Sequence, residues 1–183
     1  ITNLSCQLDP SLKMKVISRD KDLTQLINDR VEIWDLHTNK FVTPETVFKV
    51  NGVQPSQVVD VLSLVGDASD NIPGVPGIGP KTAGNLILEY KNIDSIYEAV
   101  DKNKIKGKRA ENLRAHYENV LRNKKLIKLV DDISLEFNLE ESKHTISKID
   151  FNKLNNFCKE LGFTRFYENF LNLKEDTVLK INK

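Results

Sequence analysis

Between Gly66 and Ala83 the chain holds Gly66, Gly74, Gly77 and Gly79 together with Pro73, Pro76 and Pro80, half of its eight glycines and half of its six prolines. No regular helix can run through such a segment. Each proline lacks an N–H and fixes φ, and each glycine permits turns and close approaches that a Cβ would block. The segment has two halves of opposite chemistry. Gly66-Asp67-Ala68-Ser69-Asp70 is a short acidic loop at the end of an apolar helical run (Val58, Val59, Val61, Leu62, Leu64, Val65). Pro73 to Gly79 is a hairpin-like turn that opens into a helix at Pro80, a residue suited to a first helical turn, with Ala83, Leu86 and Ile87 on one face.

Each half predicts a ligand. Asp67 and Asp70 crowd together, and close carboxylates repel one another unless a proton or cation lies between them. Hard cations such as Mg²⁺ take carboxylate oxygens. A Gly-rich turn feeding a helix start aims free N–H groups and a positive dipole end outward, an anion site that suits a phosphodiester, and Lys81 adds a full charge beside it. A metal site directly before a phosphate cradle points to phosphodiester chemistry.

The run Asp-x-x-Asp-Asn followed by Pro-Gly-Val-x-Gly-Ile-Gly-x-Lys-Thr-Ala, from Asp67 to Ala83, resembles the helix-three-turn-helix signature of the 5′–3′ exonuclease and flap endonuclease family. The likeness is to the bacterial kind, the nuclease domain of DNA polymerase I and its stand-alone relatives, and runs from roughly Val16 to Phe170. Ser18-Arg19-Asp20-Lys21-Asp22-Leu23 resembles a second family motif, whose two Asp residues help to hold metal. Without the resemblance, Asp20 and Asp22 read as caps or solvated charges. Arg19 departs from the small residue usual there and brings a large cation beside the acids.

The resemblance implies an α/β fold: the C-terminal part of an open-sheet nuclease core in residues 1–65, a mainly helical subdomain with a helix–hairpin–helix-like DNA-binding motif in 66–175, and a tail in 176–183. It implies structure-selective, sequence-independent cleavage of DNA by two-metal phosphodiester hydrolysis, in replication or repair. Asp20, Asp22, Asp67 and Asp70 would be catalytic and would hold Mg²⁺ or Mn²⁺. Gly74, Gly77, Gly79, Lys81 and Thr82 would grip a duplex with a 5′ end, nick or flap, and a K⁺ ion is expected in the hairpin. Lys102 to Arg109 is the densest basic run, and by its residues alone it is as readily a solvated loop as a nucleic-acid contact. At a place where the family has a basic Gly-containing segment, Lys104, Lys106, Lys108 and Arg109 read as a second backbone contact. The family's other acids and its basic helices lie in a more N-terminal segment. Ile1 aligns just after it, so the expected partner is that N-terminal half or a polymerase domain, and the 183 residues alone are expected to have little activity.

Elsewhere the patterns are local. Lys15-Val16-Ile17-Ser18 reads as a buried strand, followed by an acidic turn and a helix with Leu23, Leu26 and Ile27. Such α/β units place ligands beyond the carboxyl ends of their strands. Val31 to Trp34 reads as a second strand, with Trp34 in the core rather than stacked on a base. Thr43 and Pro44 start a helix that ends near Gly52, and Pro55 opens the next. Asn92 to Val100 and Ala110 to Asn123 read as helices, the first with Ile93, Ile96 and Tyr97 inward, the second with Leu113, Tyr117, Val120 and Leu121 on one side. Ile133, Leu135 and Phe137 alternate as a strand. Asp150 caps a helix that Gly162 stops, and Phe163, Phe166, Phe170 and Leu171 close a small apolar cluster.

Composition adds limits. A net charge of +1 with 29% charged residues excludes a uniformly basic protein and an acidic disordered tail, and leaves nucleic-acid binding to local patches. Cys6 and Cys158 are isolated thiols, which suits a reducing compartment, and His37, His116 and His144 have no zinc-ligand spacing. No apolar run approaches the roughly 18 residues that cross a membrane, and no secretory signal is visible, so the cytoplasm or nucleoid is expected, with an organelle as the alternative. Two rival readings stay open: a non-catalytic fragment that binds duplex backbone through the hairpin, and a degenerate fragment with neither activity. The four Asp residues separate the nuclease reading from the first of these, because a pure DNA binder has no use for a repulsive acidic cluster.

Overall fold

The computed structural model describes residues 9–136, 138, 140–141, 149–163, 165–168 and 171. Met14–Ile17 (β1) pairs in parallel with Val31–Asp35 (β2), which pairs antiparallel with Lys40–Val42 (β3), so the sheet order is β1-β2-β3. β1 is half-buried rather than buried: Met14 and Val16 face inward while Lys15 and Ile17 face solvent. Val31 and Ile33 bury the inner face of β2. Trp34 lies on the opposite face, edge-on to Phe41 with ring centroids 4.3 Å apart, and the Lys15 ammonium sits 4.7 Å from the Phe41 ring. Cross-strand aromatic packing, not the core, therefore shelters Trp34. β3 has only three residues, too few to show an alternation in sequence.

The connection from β1 to β2 is a 3-10 helix, Lys21–Leu26, where the spacing of Leu23 and Leu26 suggested an α-helix. It stops because Ile27 turns extended and the Asn28 carboxamide oxygen accepts from the Arg30 and Val31 N–H groups, steering the chain into β2. Pro44–Asn51 (α1) starts at a capping box between Thr43 and Thr46 and ends at Gly52. A 3-10 turn at Pro55–Gln57 leads into Val58–Val65 (α2). Gly66–Asp67 (β4) and Ile72–Pro73 (β5) form a two-stranded hairpin, and Pro80–Tyr90 (α3) follows the Gly/Pro turn. Ile93–Asp101 (α4) is capped by Asn92.

The helix expected from Ala110 to Asn123 is two helices, Gly107–Ala115 (α5) and Tyr117–Ile127 (α6). His116 breaks them: its N–H reaches the Asn112 and Leu113 carbonyls, and its Nδ1 lies 2.9 Å from the Asn112 carbonyl oxygen. Leu113 and Val120 are buried as expected, Leu121 is half-buried and Tyr117 is exposed.

One continuous core runs from Ile27, Ile33 and Val47 through Leu64 and Ile87 to Ile96, Leu113 and Val120. Each fully buried Ile or Leu side chain contributes roughly 1.5–3 kcal/mol. α2 packs against both α3 and α6 and leads straight into β4. By its contacts the chain forms two compact units, Ile1–Leu135 and Glu136–Lys183.

In the second unit Phe151–Glu160 (α7) is capped by Asp150, whose carboxylate accepts from the Asn152 and Lys153 N–H groups, and Cys158 is buried. Phe163 and Phe166 are exposed, which corrects the expected apolar cluster. Residues 131–136 form no strand, and Ile133 and Leu135 are exposed, because the alternation finds no partner strand among the described residues. Cys6, Phe137, His144, Phe170 and the tail at 176–183 lie outside the described residues.

Candidate metal and nucleic-acid site

The acidic hairpin is held by backbone on one side and by a buried amide on the other. Gly74 passes so close to α2 that an added Cβ would overlap the Val65 carbonyl, and the Val75 N–H donates to the Leu64 carbonyl at 2.8 Å. Asn123 of α6, 1% exposed, donates through Nδ2 to the carbonyls of Ser63 (3.1 Å) and Pro73 (2.7 Å). Within the loop, Asp67 Oδ1 accepts from the Ser69 N–H at 2.9 Å and from the Ser69 hydroxyl at 2.5 Å. Asp67 is 4% exposed, an unusual place for a carboxylate unless a cation balances it.

The facing wall comes from the carboxyl end of β1. Ser18 Oγ accepts from the Asp20 N–H, and Asp20 Oδ1 accepts from the Asp22 N–H at 2.9 Å, which caps the 3-10 helix. That geometry carries Asp22 towards the hairpin. Oxygens of Asp22, Asp67 and Asp70 lie within 4.8 Å of one another. Asp20, grouped with these three by sequence, stands outside the cluster and acts as the cap. Arg19 is exposed.

Lys21 supplies the cation. Its Nζ lies 2.6 Å from Asp67 Oδ2 and 2.9 Å from Ser69 Oγ. This contact first, and then the Ser69 hydroxyl, holds Asp67 below the usual carboxylate range against the effect of burial, and the same contact raises Lys21. Asp22 moves the other way: burial, then the charges of Asp20, Asp67 and Asp70, push its carboxyl up. Asp22 Oδ1 and Asp67 Oδ2 are buried without a directed hydrogen bond, the latter held by charge alone. An Asp22 oxygen without a partner, beside an Asp67 oxygen balanced by an ammonium, in an all-oxygen cluster fits a hard divalent cation.

The basic half begins one turn further on. Gly77 takes φ 79°, a left-handed angle open to glycine, and the Ile78 N–H closes the turn onto the Val75 carbonyl at 3.0 Å. Gly79 is the N-cap of α3 with no side chain to satisfy the first N–H groups, and a Cβ there would meet nothing within 4 Å. Lys81 is exposed and Thr82 half-buried beside it. α5 likewise starts without a side-chain cap, at Lys106, whereas side chains of Thr43, Asn92 and Asp150 cap α1, α4 and α7. Asn112 of α5 donates to the Pro76 carbonyl at 2.8 Å and so ties α5 to the turn. Lys104, Lys106 and Arg109 face solvent, while Lys108 pairs with Glu111 at 3.2 Å. Gly74, placed by sequence with the DNA-contacting glycines, belongs to the acidic hairpin's packing.

Sequence reasoning missed Lys21, Ser69, Asn112 and Asn123. Lys21 and Ser69 stand inside the two acidic motifs, where attention to the cation needed by a buried carboxylate would have found them. Asn112 and Asn123 act across 36 to 60 residues and carry no local signal.

Known proteins bear on this arrangement. The family described as 5′–3′ exonuclease, C-terminal SAM fold, matches residues 53–150. DNA polymerase I of Bacillus caldotenax is 40% identical over 163 residues, covering 85% of this chain and 18% of the polymerase. A 5′–3′ exonuclease of Aquifex aeolicus is 40% identical over 151 residues, covering 81% of this chain and 49% of that protein. The chain thus spans about half the length of the exonuclease and under a fifth of the polymerase. A crystal structure of the bacteriophage T5 flap endonuclease, a pseudo-enzyme-product complex with DNA and metal ions, superposes with a TM-score of 0.56 at 30% identity over 63% of this chain and 42% of the phage protein.

Proposed function

The chain belongs to the 5′–3′ exonuclease family, and from that premise we propose that it is the DNA-gripping and part of the metal-binding portion of a structure-selective 5′–3′ exonuclease or flap endonuclease. The observation that carries the reading is the convergence of Asp22, from one loop, on Asp67 and Asp70, from another, directly ahead of the uncapped start of α3.

Asp22, Asp67 and Asp70 would hold the cation, Mg²⁺ or Mn²⁺, with Asp20 orienting Asp22 through its cap. When bound, the ion supplies activation of water and neutralisation of charge at a phosphodiester. The chain's own residues do the positioning. The free N–H groups at the start of α3, with Lys81 and Thr82, hold a strand of the duplex by its phosphates, and a K⁺ ion in the turn would join them. Lys104, Lys106, Lys108 and Arg109 extend the same backbone contact. Phosphate contacts fix register without reading bases, so the preference is for DNA shape: a 5′ end, nick or flap. An N-terminal half carrying further acids completes the reaction in this reading.

The test is Mn²⁺ titration of the chain and of single Asp→Ala variants. Asp22→Ala, Asp67→Ala and Asp70→Ala should each weaken the site about tenfold or more, and Asp20→Ala less. Equal binding by all four variants and the parent overturns the reading. With the N-terminal half supplied, Mg²⁺-dependent cleavage of a 5′-flap duplex should appear and be lost in Asp67→Ala.

A further inference from the structure

Lys21 lies between the two aspartates of its motif, and its ammonium sits in the carboxylate cluster itself. We propose that Lys21 is a resident counter-cation: it holds the place against Asp67 that a divalent ion takes, and it leaves when the ion binds, so that the chain's own lysine sets the ion's affinity. The inference rests on the metal reading above.

Asp67 Oδ1 is occupied by two donors from Ser69, the N–H and the hydroxyl. Oδ2 is left for a cation, and it is the oxygen that Lys21 approaches at 2.6 Å. The Asp67 side chain is 2% exposed, so without Lys21 its charge would stand almost unsolvated. The Lys21 side chain is 53% exposed, and its further contact, the Ser69 hydroxyl, is shared with Asp67. Nothing but charge and one hydrogen bond retains it. An ion shared by Asp22, Asp67 and Asp70 would stand within a few ångströms of that ammonium, where like charges repel strongly in so sheltered a place. A flexible stem rooted in the first turn of the 3-10 helix lets the ammonium move to solvent. The two cations therefore exclude one another.

The test uses Mn²⁺ titration and thermal melting of the whole chain and of Lys21→Met, Lys21→Arg and Lys102→Met. If Lys21 occupies the site in most metal-free molecules, removing it lifts the apparent Mn²⁺ affinity by the reciprocal of the unoccupied fraction, about tenfold when one molecule in ten is open. Lys21→Met should bind Mn²⁺ about tenfold more tightly, Lys21→Arg about as the parent, and Lys102→Met, which loses a cation paired elsewhere with Glu98, also as the parent. In chelator, Lys21→Met should melt below the parent, and saturating Mn²⁺ should close or reverse that gap. Unchanged or weaker Mn²⁺ binding by a folded Lys21→Met overturns this inference while leaving the metal reading intact. Absence of binding by parent and variant alike overturns both. Binding by Lys21→Met where the parent binds none supports the competition directly.

Discussion

Two neighbouring loops, Gly66 to Pro73 and Gly74 to Gly79, solve opposite electrostatic problems by opposite means. The acidic loop must hold like charges together, so it is built from side chains: Ser69 and Lys21 on Asp67, and buried Asn123 behind it. The basic turn must meet a polyanion, so it is built from exposed backbone, with open space where a Gly79 side chain would stand and the first N–H groups of α3 free of any side-chain cap. A small hard cation needs enclosure and converging oxygens. A strand of phosphates needs an open surface whose positive charge is spread along it. The same residue type serves both ends differently. Gly74 is needed for packing and Gly79 for access.

That contrast predicts the largest effect. Gly74→Ala drives a Cβ into the Val65 backbone, which cannot yield without moving α2, so a loss of about 3 kcal/mol or more in denaturant unfolding is expected. Gly79→Ala adds a methyl group in open space at an ordinary φ of −89°, and should change stability by no more than about 0.5 kcal/mol while weakening duplex DNA binding. Equal stabilities for the two variants would erase the distinction.

The supports behind the loops give a middle-sized comparison. Asn123 is buried and satisfies two carbonyls, of which Pro73 belongs to the acidic hairpin. Asn123→Ala strands both and should cost about 2 kcal/mol, with weaker Mn²⁺ binding as the hairpin loosens. Asn112 supports the basic turn from a half-exposed position, where water can replace it at the Pro76 carbonyl. Asn112→Ala should cost about 0.5 kcal/mol and affect DNA binding rather than Mn²⁺ binding. A chemical melt and the two titrations on both variants decide it.

Much of this arrangement is legible in the sequence because it is local. Thr43 with Pro44, Asn92 and Asp150 announce helix starts, and Gly52 and Gly162 announce ends. The Gly/Pro turn and the acidic loop follow from residue order alone, since proline and glycine chemistry is fixed within a few residues. What is not legible depends on distance or on small differences. β3 is too short for a pattern, and His116 splits a helix through its own ring and carbonyl contacts without any glycine or proline. Asp20 and Asp22 look alike in sequence, yet one caps and the other joins the cluster, because the cap's hydrogen bond rotates them apart. Size alone places Trp34, Phe163 and Phe166 in a core, but strand alternation turns Trp34 outward and the other two are exposed.

The smallest expected effect tests the charge contrast without disturbing the fold. Lys81 is exposed, one residue into α3, and no ion pair of it is formed among the described residues. If it contacts one phosphate, Lys81→Ala should weaken binding to duplexes of every sequence by a similar factor and reduce the slope of log affinity against log salt by about 0.9. Asp70 is the exposed member of the acidic cluster, a few residues before the turn. In metal-free buffer Asp70→Ala removes a charge that repels the same backbone, so it should strengthen DNA binding where Lys81→Ala weakens it. With Mn²⁺ present that gain should vanish, because the carboxylate's charge is then already balanced. The two variants moving in the same direction without metal would mean that the acidic and basic loops do not face one strand of DNA. A sequence-dependent effect of Lys81→Ala would mean that the turn meets bases rather than phosphates.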